Sequence, residues 1–234
     1  MNKNIIIVSN GRFGNISFFQ KKLAEIPDRF IICCDGAARH LAKTKIKPDI
    51  VLGDMDSLEP FFLESFKKKG IKTIEYPVQK NFTDTELALD YALNMNPSAI
   101  YIWGALGGRI DHILGNVFLL IKGKRANVNT YLIDEYAEAF LPKNKVIFSA
   151  AVSCTVSLLP LTEKVEGITL SGFAYPLNNE TLRMGETRGL SNYIQKSTAK
   201  INFVSGELLV IRYWISDLSV SYTHLRAHET VLDL

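Results

Sequence analysis

The segment of this sequence most able to do chemistry is Gly53-Asp54-Met55-Asp56-Ser57. It follows the short, mostly apolar run 49–52, which is typical of a buried strand in a parallel sheet. Two carboxylates at positions i and i+2, where a strand gives way to a loop, can point at one hard cation whose other ligands are water and substrate oxygens. The simpler interpretation is an acidic turn with solvated side chains, and the segment alone does not decide between the two.

Four strand-like runs in the first half of the chain share one design, because each leads into one or two acidic residues beyond its carboxyl end. In an open parallel sheet these ends lie along one edge, where ligands bind. Carboxylates that converge there repel each other unless a cation offsets their charge. The sequence therefore predicts an acidic, cation-binding site at this edge. The acidic residues are Asp35, Asp54, Asp56, Asp84 and Asp111.

The elements that must position these residues follow from the periodicity of the apolar side chains. Strand-like and helix-like segments alternate through the first half, beginning with a strand at 4–8 and a helix at 16–25. Repeated strand–helix–strand units of this length predict an α/β domain with a parallel sheet over residues 1–142. Further strands are expected near 30–34, 49–52, 71–76, 98–103 and 128–133, and further helices near 37–43, 59–69, 85–94 and 111–122.

The second half has a different residue pattern, since short β-rich runs alternate with turn residues and helical periodicity disappears. Residues 143–218 are therefore predicted to form a small antiparallel β-sandwich or barrel domain. The segment 221–234 continues no strand pattern and resembles the tails that sequencing artefacts add to complete proteins. We expect residues 219–234 to be a non-native or disordered tail.

Composition excludes several classes of protein. The 234 residues carry a net charge of only +3 without a basic stripe, which argues against nucleic acid as the main partner. No apolar run is long enough to cross a membrane and no signal-peptide core follows Met1, so cytoplasmic localisation is expected. The three cysteines, at positions 33, 34 and 154, lack the spacing of a zinc site and are interpreted as small buried hydrophobic residues.

A helix start and a glycine-rich loop are the other candidates for chemistry. Thr83 and Glu86 have the spacing of a capping box, which places Asp84 in the first turn of a helix at the acidic edge. The loop 104–112 could bring backbone N–H groups to a phosphate at a helix N-terminus, although it is neither a Walker A loop nor a dinucleotide motif.

Two cations near these segments could bind phosphate. Arg109 could fork onto a phosphate group, and the alternative is a surface ion pair with Asp111. Lys80 could meet a phosphate or be a solvated loop lysine. For His112, one residue further on, a structural role is expected.

Taken together, the motifs resemble those of the thiamine pyrophosphokinases, in the same order and over nearly the whole chain to about residue 216. The resemblance implies transfer of a pyrophosphoryl group from ATP to thiamine, with magnesium as cofactor and a homodimer as the assembly. The motifs are Asp35-Gly36-Ala37-Ala38, Pro48-Asp49, Gly53-Asp54-Met55-Asp56-Ser57, Thr83-Asp84 with Glu86, Gly107-Gly108-Arg109-Ile110-Asp111-His112 and Ser191-Asn192.

The resemblance also implies roles for single residues. Magnesium and catalysis fall to Asp54, Asp56 and Asp84, with Asp35 and Asp111 as further active-site acids. Lys80 and Thr83 fall in the loop against the nucleotide phosphates, beside the ATP-binding candidates Arg109 and Asp111. Ser191 and Asn192 match thiamine-contacting positions, and Tyr175 lies where an aromatic ring can stack on thiamine.

The implied reaction is attack of the thiamine hydroxyl on the β-phosphorus of ATP, which needs charge neutralisation more than covalent help. Either Asp84 or Asp35 would take the hydroxyl proton, and the sequence does not choose between them. Two rival functions are a non-catalytic regulator that binds thiamine or nucleotide, and a haloacid-dehalogenase-like phosphohydrolase. The second conflicts with the position of Asp54-Met55-Asp56 after the third strand, because that family's nucleophile normally follows the first strand.

Overall fold

A computed structural model describes residues 3–56, 58, 60–77, 81–149 and 151–214 of the chain. The expectations for Lys80 and for the tail 219–234 lie outside these residues. The chain divides by its internal contacts into two units, one formed by Met1–Lys143 with Glu207–Ile211 and the other by Asn144–Gly206 with Arg212–Leu234. The predicted domain boundaries stay a prediction.

The first unit contains the predicted alternation of strands and helices. Its strands are β1 (Asn4–Val8), β2 (Arg29–Cys34), β3 (Ile50–Gly53), β4 (Lys72–Glu75), β5 (Ala99–Trp103), β6 (Asn129–Ile133) and β7 (Ala137–Phe140). Its helices are α1 (Ile16–Glu25), α2 (Ala38–Leu41), α3 (Pro60–Lys68), α4 (Asp84–Leu93) and α5 (Ile110–Arg125), and a 3-10 turn, Asp35–Ala37, directly precedes α2.

Six of these strands pair in parallel in the order β4-β3-β2-β1-β5-β6. The central strand β1 is buried from Ile5 to Val8, as expected for a strand covered on both faces. The strand order reverses at β1, because β2 follows it on one side and β5 lies on the other. Such a reversal opens a crevice at the carboxyl ends of the two diverging strands.

An aromatic cluster fixes the loop that leaves β1. The rings of Phe13 and Phe19 lie 4.8 Å apart, and Phe19 lies 4.8 Å from the ring of Trp103 at the end of β5. The indole N–H of Trp103 donates to the carbonyl oxygen of Phe13 at 2.7 Å, inside the core. The loop between β1 and α1 is therefore held against the end of β5 by packing and by a buried hydrogen bond.

The strand β7 is the main element of the first unit that the sequence did not predict. It runs antiparallel to β6, with Tyr131 beside Phe140. The turn between them depends on Asp134, whose Oδ1 accepts hydrogen bonds from the N–H groups of Tyr136 at 2.8 Å and Ala137 at 2.9 Å. A four-residue strand after a tight acidic turn has too little periodicity to be recognised from the sequence.

The second unit is antiparallel, which together with the parallel sheet of the first unit confirms the predicted fold class. Four strands pair in the order β11-β10-β13-β8, and β9 pairs with β12. The strands are β8 (Lys145–Ser149), β9 (Thr155–Pro160), β10 (Lys164–Ser171), β11 (Glu180–Arg183), β12 (Asn192–Tyr193) and β13 (Thr198–Asn202). The last strand, β14 (Leu208–Tyr213), belongs to the first unit as far as Ile211 and lies beside β7 in its sheet.

None of the helices within the described part of the chain combines the length and the hydropathy needed to cross a membrane.

Candidate functional site

A cleft of about 620 Å³ opens in the first unit at the crevice predicted by the strand order. The loops that leave β1 and β5 line it, together with residues at or near the start of α2, α4 and α5. Three of the residues singled out in the sequence, Thr83, Asp84 and Arg109, line this cleft. The sheet therefore places Arg109 at the same site as the adjacent residues Thr83 and Asp84, from which it is remote in the chain.

Two glycines let the cleft's loops approach each other closely. The N–H of Gly11 donates to the carbonyl oxygen of Gly104 at 3.0 Å. A Cβ atom at Gly11 would lie 2.3 Å from that oxygen, and Gly104 has a φ of +72°, so side chains are excluded at both positions. Because both glycines line the cleft, part of its wall is backbone without side chains, which leaves room for the approach of a polyphosphate.

Three of the five acids predicted to converge at the sheet edge lie together. Carboxylate oxygens of Asp35, Asp54 and Asp56 all lie within 4.8 Å of one another. Asp35 is buried, Asp54 is half-buried and Asp56 is exposed, so the group forms a path from the interior to solvent. A donor set made only of carboxylate oxygens fits a hard cation such as magnesium and does not fit zinc or copper.

The backbone after β3 builds this group. Met55 has a φ of +63°, a left-handed conformation that costs a non-glycine residue about 1 kcal/mol. Its N–H donates to Oδ2 of Asp35 at 3.0 Å, and the N–H of Asp56 donates to Oδ1 of Asp54 at 3.3 Å. A Cβ atom at Gly53 would lie 2.5 Å from Cγ of Asp35, which explains the glycine before the first acid. The strained turn thus brings both acids against Asp35.

The electrostatics of the group favour a bound cation. The pKa of Asp35 is raised to about 6, mainly by burial and also by the negative charges of Asp84 and Asp54, against the lowering effect of the N–H groups of Gly36 and Met55. A carboxyl with a raised pKa is one whose charged form is poorly stabilised. Positive charge at this position would relieve the repulsion, so the residues present fit the implied magnesium.

Asp84 lies beside the group of three rather than within it. It is the first residue of α4 and lines the cleft, where its charge reaches Asp35. The predicted helix start is confirmed, since Oγ1 of Thr83 accepts a hydrogen bond from the N–H of Glu86 at 3.2 Å. The cap fixes Asp84 in the first turn of α4 at the edge of the sheet.

Arg109 and Asp111 form the ion pair that the sequence left as an alternative. The guanidinium makes two contacts with the carboxylate, from Nε at 3.1 Å and from Nη2 at 2.5 Å. Arg109 lowers the pKa of Asp111 to about 2. Asp111 thus pairs with Arg109 at an exposed position and is not one of the three acids whose oxygens converge.

Several residues of the cleft were not identified from the sequence as functional. Asn116 donates from Nδ2 to the carbonyl oxygen of Ala105 at 2.9 Å, which supports the loop after β5. Arg39 lines the cleft at an exposed position, and the ion pairs among the described residues do not include it. The other such polar residues that line the cleft include Ser9, Asn10, Arg12, His40 and Thr85. The polar, glycine-containing loop directly after β1 was the one signal in the sequence for part of this set.

Arg12 ties three loops of the site together. Its guanidinium contacts Glu135 at 2.8 Å and Asp134 at 3.3 Å, and its Cζ lies 4.8 Å from the centre of the Tyr136 ring. A Cβ atom at Gly107 would lie 2.9 Å from Nε of Arg12, so the arginine also packs against the loop after β5. The side chain therefore fixes the position of the wall of the cleft that begins at β1.

The second unit brings the three thiamine candidates together. The amide of Asn192 is buried, and its Nδ2 donates to the carbonyl oxygen of Tyr175 at 2.8 Å while its Oδ1 accepts from the Tyr175 N–H at 3.1 Å. Tyr175 itself is 65% exposed. Ser191 is exposed in a left-handed turn, with φ +56°, and its N–H donates to Oγ of Ser157 at 3.1 Å. Asn192 is thus engaged with backbone, whereas Tyr175 and Ser191 face solvent.

Comparisons with known proteins agree with the geometry of both units. Residues 24–132 match the family model described as the thiamin pyrophosphokinase catalytic domain, and residues 144–208 match that of the thiamin pyrophosphokinase vitamin B1 binding domain. The thiamine pyrophosphokinase of Bacillus subtilis is 37% identical over 180 residues, which cover 76% of this chain and 84% of that protein.

Solved structures give the same result. A crystal structure of thiamine pyrophosphokinase from Bacillus subtilis matches with a TM-score of 0.80 at 31% identity, covering 90% of this chain and 99% of that one. The thiamin pyrophosphokinase of Geobacillus thermodenitrificans matches with a TM-score of 0.76 at 30% identity, covering 92% and 99%. This chain therefore belongs to the thiamin pyrophosphokinase family.

Proposed function

We propose that this protein transfers the pyrophosphoryl group of ATP to thiamine, giving thiamine diphosphate and AMP. The observation that carries the proposal is the acidic group Asp35, Asp54 and Asp56 beside a cleft walled by backbone, in a chain of this family. A purely regulatory binding protein has no need to hold three converging carboxylates at a cost in repulsion. The proposal is therefore catalytic rather than regulatory.

Magnesium would be held by the three converging acids, which offer oxygen ligands of graded burial. When bound, the ion supplies charge neutralisation for the phosphate oxygens of ATP and for the AMP leaving group. Asp35 fits the role of an anchor, because both of its oxygens accept backbone N–H groups, from Gly36 and Met55. Asp54 and Asp56 complete the set from the strained turn.

Asp84 is our candidate for the residue that accepts the proton of the thiamine hydroxyl. It lines the cleft, whereas Asp35 is only 2% exposed and is engaged with backbone. A general base must come within hydrogen-bonding reach of the proton that it removes, and a cleft residue at a helix start meets that requirement. The sequence left Asp84 and Asp35 as alternatives, and the greater accessibility of Asp84 favours it as the proton acceptor.

ATP would lie in the cleft with its phosphates along the glycine walls. Arg109 can turn to a phosphate, because an exposed ion pair such as that with Asp111 is worth only about 0–1 kcal/mol and phosphate can replace the carboxylate. Thr83 supports this side of the cleft through its cap on α4. When no phosphate is bound, Asp111 would hold Arg109 in place through this ion pair.

Thiamine would contact the second unit at Tyr175 and Ser191, with Asn192 as the residue that supports Tyr175. The exposed ring of Tyr175 suits the cationic thiazolium ring, because a cation over an aromatic face is stabilised by roughly 0.5–2 kcal/mol. Asn192 acts here by holding Tyr175 rather than by presenting its amide to the ligand. The exposed hydroxyl of Ser191 is then the polar contact.

We also propose a homodimer and a cytoplasmic location. The dimer is supported by an apolar stripe on α5, where Ile110, Leu114 and Phe118 are 75%, 52% and 57% exposed at i, i+4 spacing. Exposed stripes of this kind mark interaction surfaces in soluble proteins. Light scattering on the purified protein would test it, with Phe118→Lys expected to give monomer.

The test of the activity is direct. Purified protein incubated with thiamine, ATP and magnesium should release AMP and thiamine diphosphate in equal amounts. Leaving out thiamine should abolish AMP release, and release of inorganic phosphate without thiamine would instead indicate a phosphohydrolase. Thiamine binding without AMP release would leave only the regulatory function.

A further inference from the structure

The second unit contains two large aromatic side chains that are exposed although their backbone is rigidly held. Tyr175 is 65% exposed and Tyr193 is 40% exposed. Their ring centres lie 6.0 Å apart and their planes meet at 87°. Single exposed aromatic residues are common on protein surfaces, but two neighbouring rings that meet at nearly a right angle form a corner with two aromatic walls.

One buried side chain sets the corner. The Oδ1 atom of Asn192 accepts hydrogen bonds from the N–H of Tyr175 at 3.1 Å and from the N–H of Tyr193 at 2.9 Å. Its Nδ2 donates to the carbonyl oxygen of Tyr175 at 2.8 Å. Asn192 is 6% exposed, so these bonds are shielded from water and both tyrosines are tied to the same amide.

The strands around Tyr193 hold it on both sides. Tyr193 lies beside Thr155 of β9, and its carbonyl oxygen accepts a hydrogen bond from the N–H of Ala174 at 2.9 Å. The next residue, Ile194, is buried and pairs with Phe173. The backbone of Tyr193 therefore has little freedom, and the point from which its ring projects is set before any ligand arrives.

We propose that Tyr193 is a second wall of the thiamine site and makes the corner selective for a planar heteroaromatic cation. This inference rests on the proposed function, since that function supplies thiamine as the ligand. A flat ring that stacks on one tyrosine presents its edge to the other, the arrangement that aromatic quadrupoles favour. A positive ring gains at both walls, whereas a neutral aliphatic alcohol gains at neither.

The corner is preorganised, which matters for its energetics. The Asn192 bonds hold the backbone of both tyrosines in place, so only the ring torsions remain to be ordered when a ligand binds. Tyr193 would contact the ligand directly with its ring. Asn192 has a different role, because it positions the backbone of both tyrosines.

The experiment compares three substitutions at Tyr193 by steady-state kinetics. Tyr193→Ala should raise the KM for thiamine roughly 3- to 10-fold with little change in the KM for ATP. Tyr193→Phe should behave as wild type, because it keeps the aromatic face. Tyr193→Leu should resemble Tyr193→Ala, because it keeps apolar area but has no quadrupole.

Melting temperatures separate binding from folding. Tyr193→Phe and Tyr193→Leu should melt close to wild type, and Val204→Ala, a substitution at an exposed residue of the same unit, is the matched control for kinetics. An unchanged thiamine KM in Tyr193→Ala would overturn the proposal. A wild-type KM for thiamine in Tyr193→Leu would also overturn it, because binding would then depend on apolar contact area and not on the interaction of a cation with an aromatic ring.

Calorimetric titration of thiamine keeps this inference distinct from the proposed function. If wild type binds thiamine but releases no AMP, the proposed function fails, and weaker thiamine binding by Tyr193→Ala would still support the corner. If wild type releases AMP and the Tyr193 variants bind thiamine normally, the corner fails and the proposed function stands.

Discussion

The two units build their candidate sites by opposite means. In the first unit, Asp35 and Asp54 come from separate strand ends and meet because the parallel sheet aligns those ends. In the second unit, Tyr175 and Tyr193 are joined through the amide of one residue, Asn192. In the acidic site, the fold therefore holds carboxylates together although they repel each other. In the aromatic corner, hydrogen bonds from one amide hold the backbone of the two tyrosines.

Because of this difference, substitutions in the two units should affect different properties, the reaction rate in the first unit and the stability of the fold in the second. Removing one carboxylate from a repelling group relieves the fold and affects mainly the reaction. Removing a buried amide with satisfied hydrogen bonds leaves its partners unpaired and affects the fold first. The four predictions below probe this contrast, from the largest expected effect to the smallest.

The largest effect is expected from Asp54→Asn. The substitution keeps the shape of the side chain and removes the charge that faces the cation, so kcat should fall roughly a thousandfold. The melting temperature should stay close to that of wild type, as measured by circular dichroism. Glu64→Gln, which removes an exposed carboxylate on α3, is the matched control and should leave kcat unchanged. Near-normal turnover of Asp54→Asn at saturating magnesium would contradict the metal role.

Asn192→Ala should affect the fold of the second unit and the thiamine site together. Its amide makes three hydrogen bonds to backbone groups of Tyr175 and Tyr193. Their loss should cost about 1–3 kcal/mol. We expect a melting temperature lower by roughly 3–10 °C and a higher KM for thiamine. A raised thiamine KM with an unchanged melting temperature would show that the amide contacts the ligand directly.

Tyr175→Ala should separate binding from stability. Because the ring is 65% exposed, its removal should leave the melting temperature unchanged. The KM for thiamine should rise roughly 3- to 10-fold, while the KM for ATP and kcat stay near wild type. A KM change confined to ATP would overturn the assignment of thiamine to the second unit.

The smallest effect is a pH dependence of stability that belongs to the first unit alone. The pKa of Asp35 is raised to about 6 from an ordinary value of 3.8, so the folded protein binds this proton more tightly than the unfolded chain. Stability from this group is present at low pH and is lost as pH rises from about 4 to about 6.

Thermal melts in a chelator between those pH values measure this effect. Asp35→Asn should flatten the profile, and Tyr175→Ala should retain the wild-type slope because its site is in the other unit. An equal slope in wild type and Asp35→Asn would show that other groups carry the dependence.

Much of the fold was predictable because its signals are local. The apolar runs that form β1 and β5 and the capping residues Thr83 and Glu86 act within a few residues of themselves. The convergence of Asp35 with Asp54 and Asp56 was also predictable, since the ends of parallel strands share an edge.

Other features had no local signal. The strand β7 follows a tight turn made by Asp134, and the contact of Arg12 with Glu135 joins residues 123 positions apart in the chain. Whether Arg109 pairs with Asp111 could be stated from the sequence only as an alternative, because both partners are close in sequence and either could face a ligand instead.

The alternation of strands and helices in the first half apart from β7, the change to antiparallel structure in the second half, and the family motifs were all evident from the sequence alone. These depend on periodicity, capping and spacing, which are properties of neighbouring residues. Only the tertiary structure decided that Asp84 lies beside the three-acid group and that Asn192 supports two tyrosines. These contacts join Asp84 to Asp35 and Asn192 to Tyr175 across intervening chain, and packing of the sheet and strands sets the distances between them.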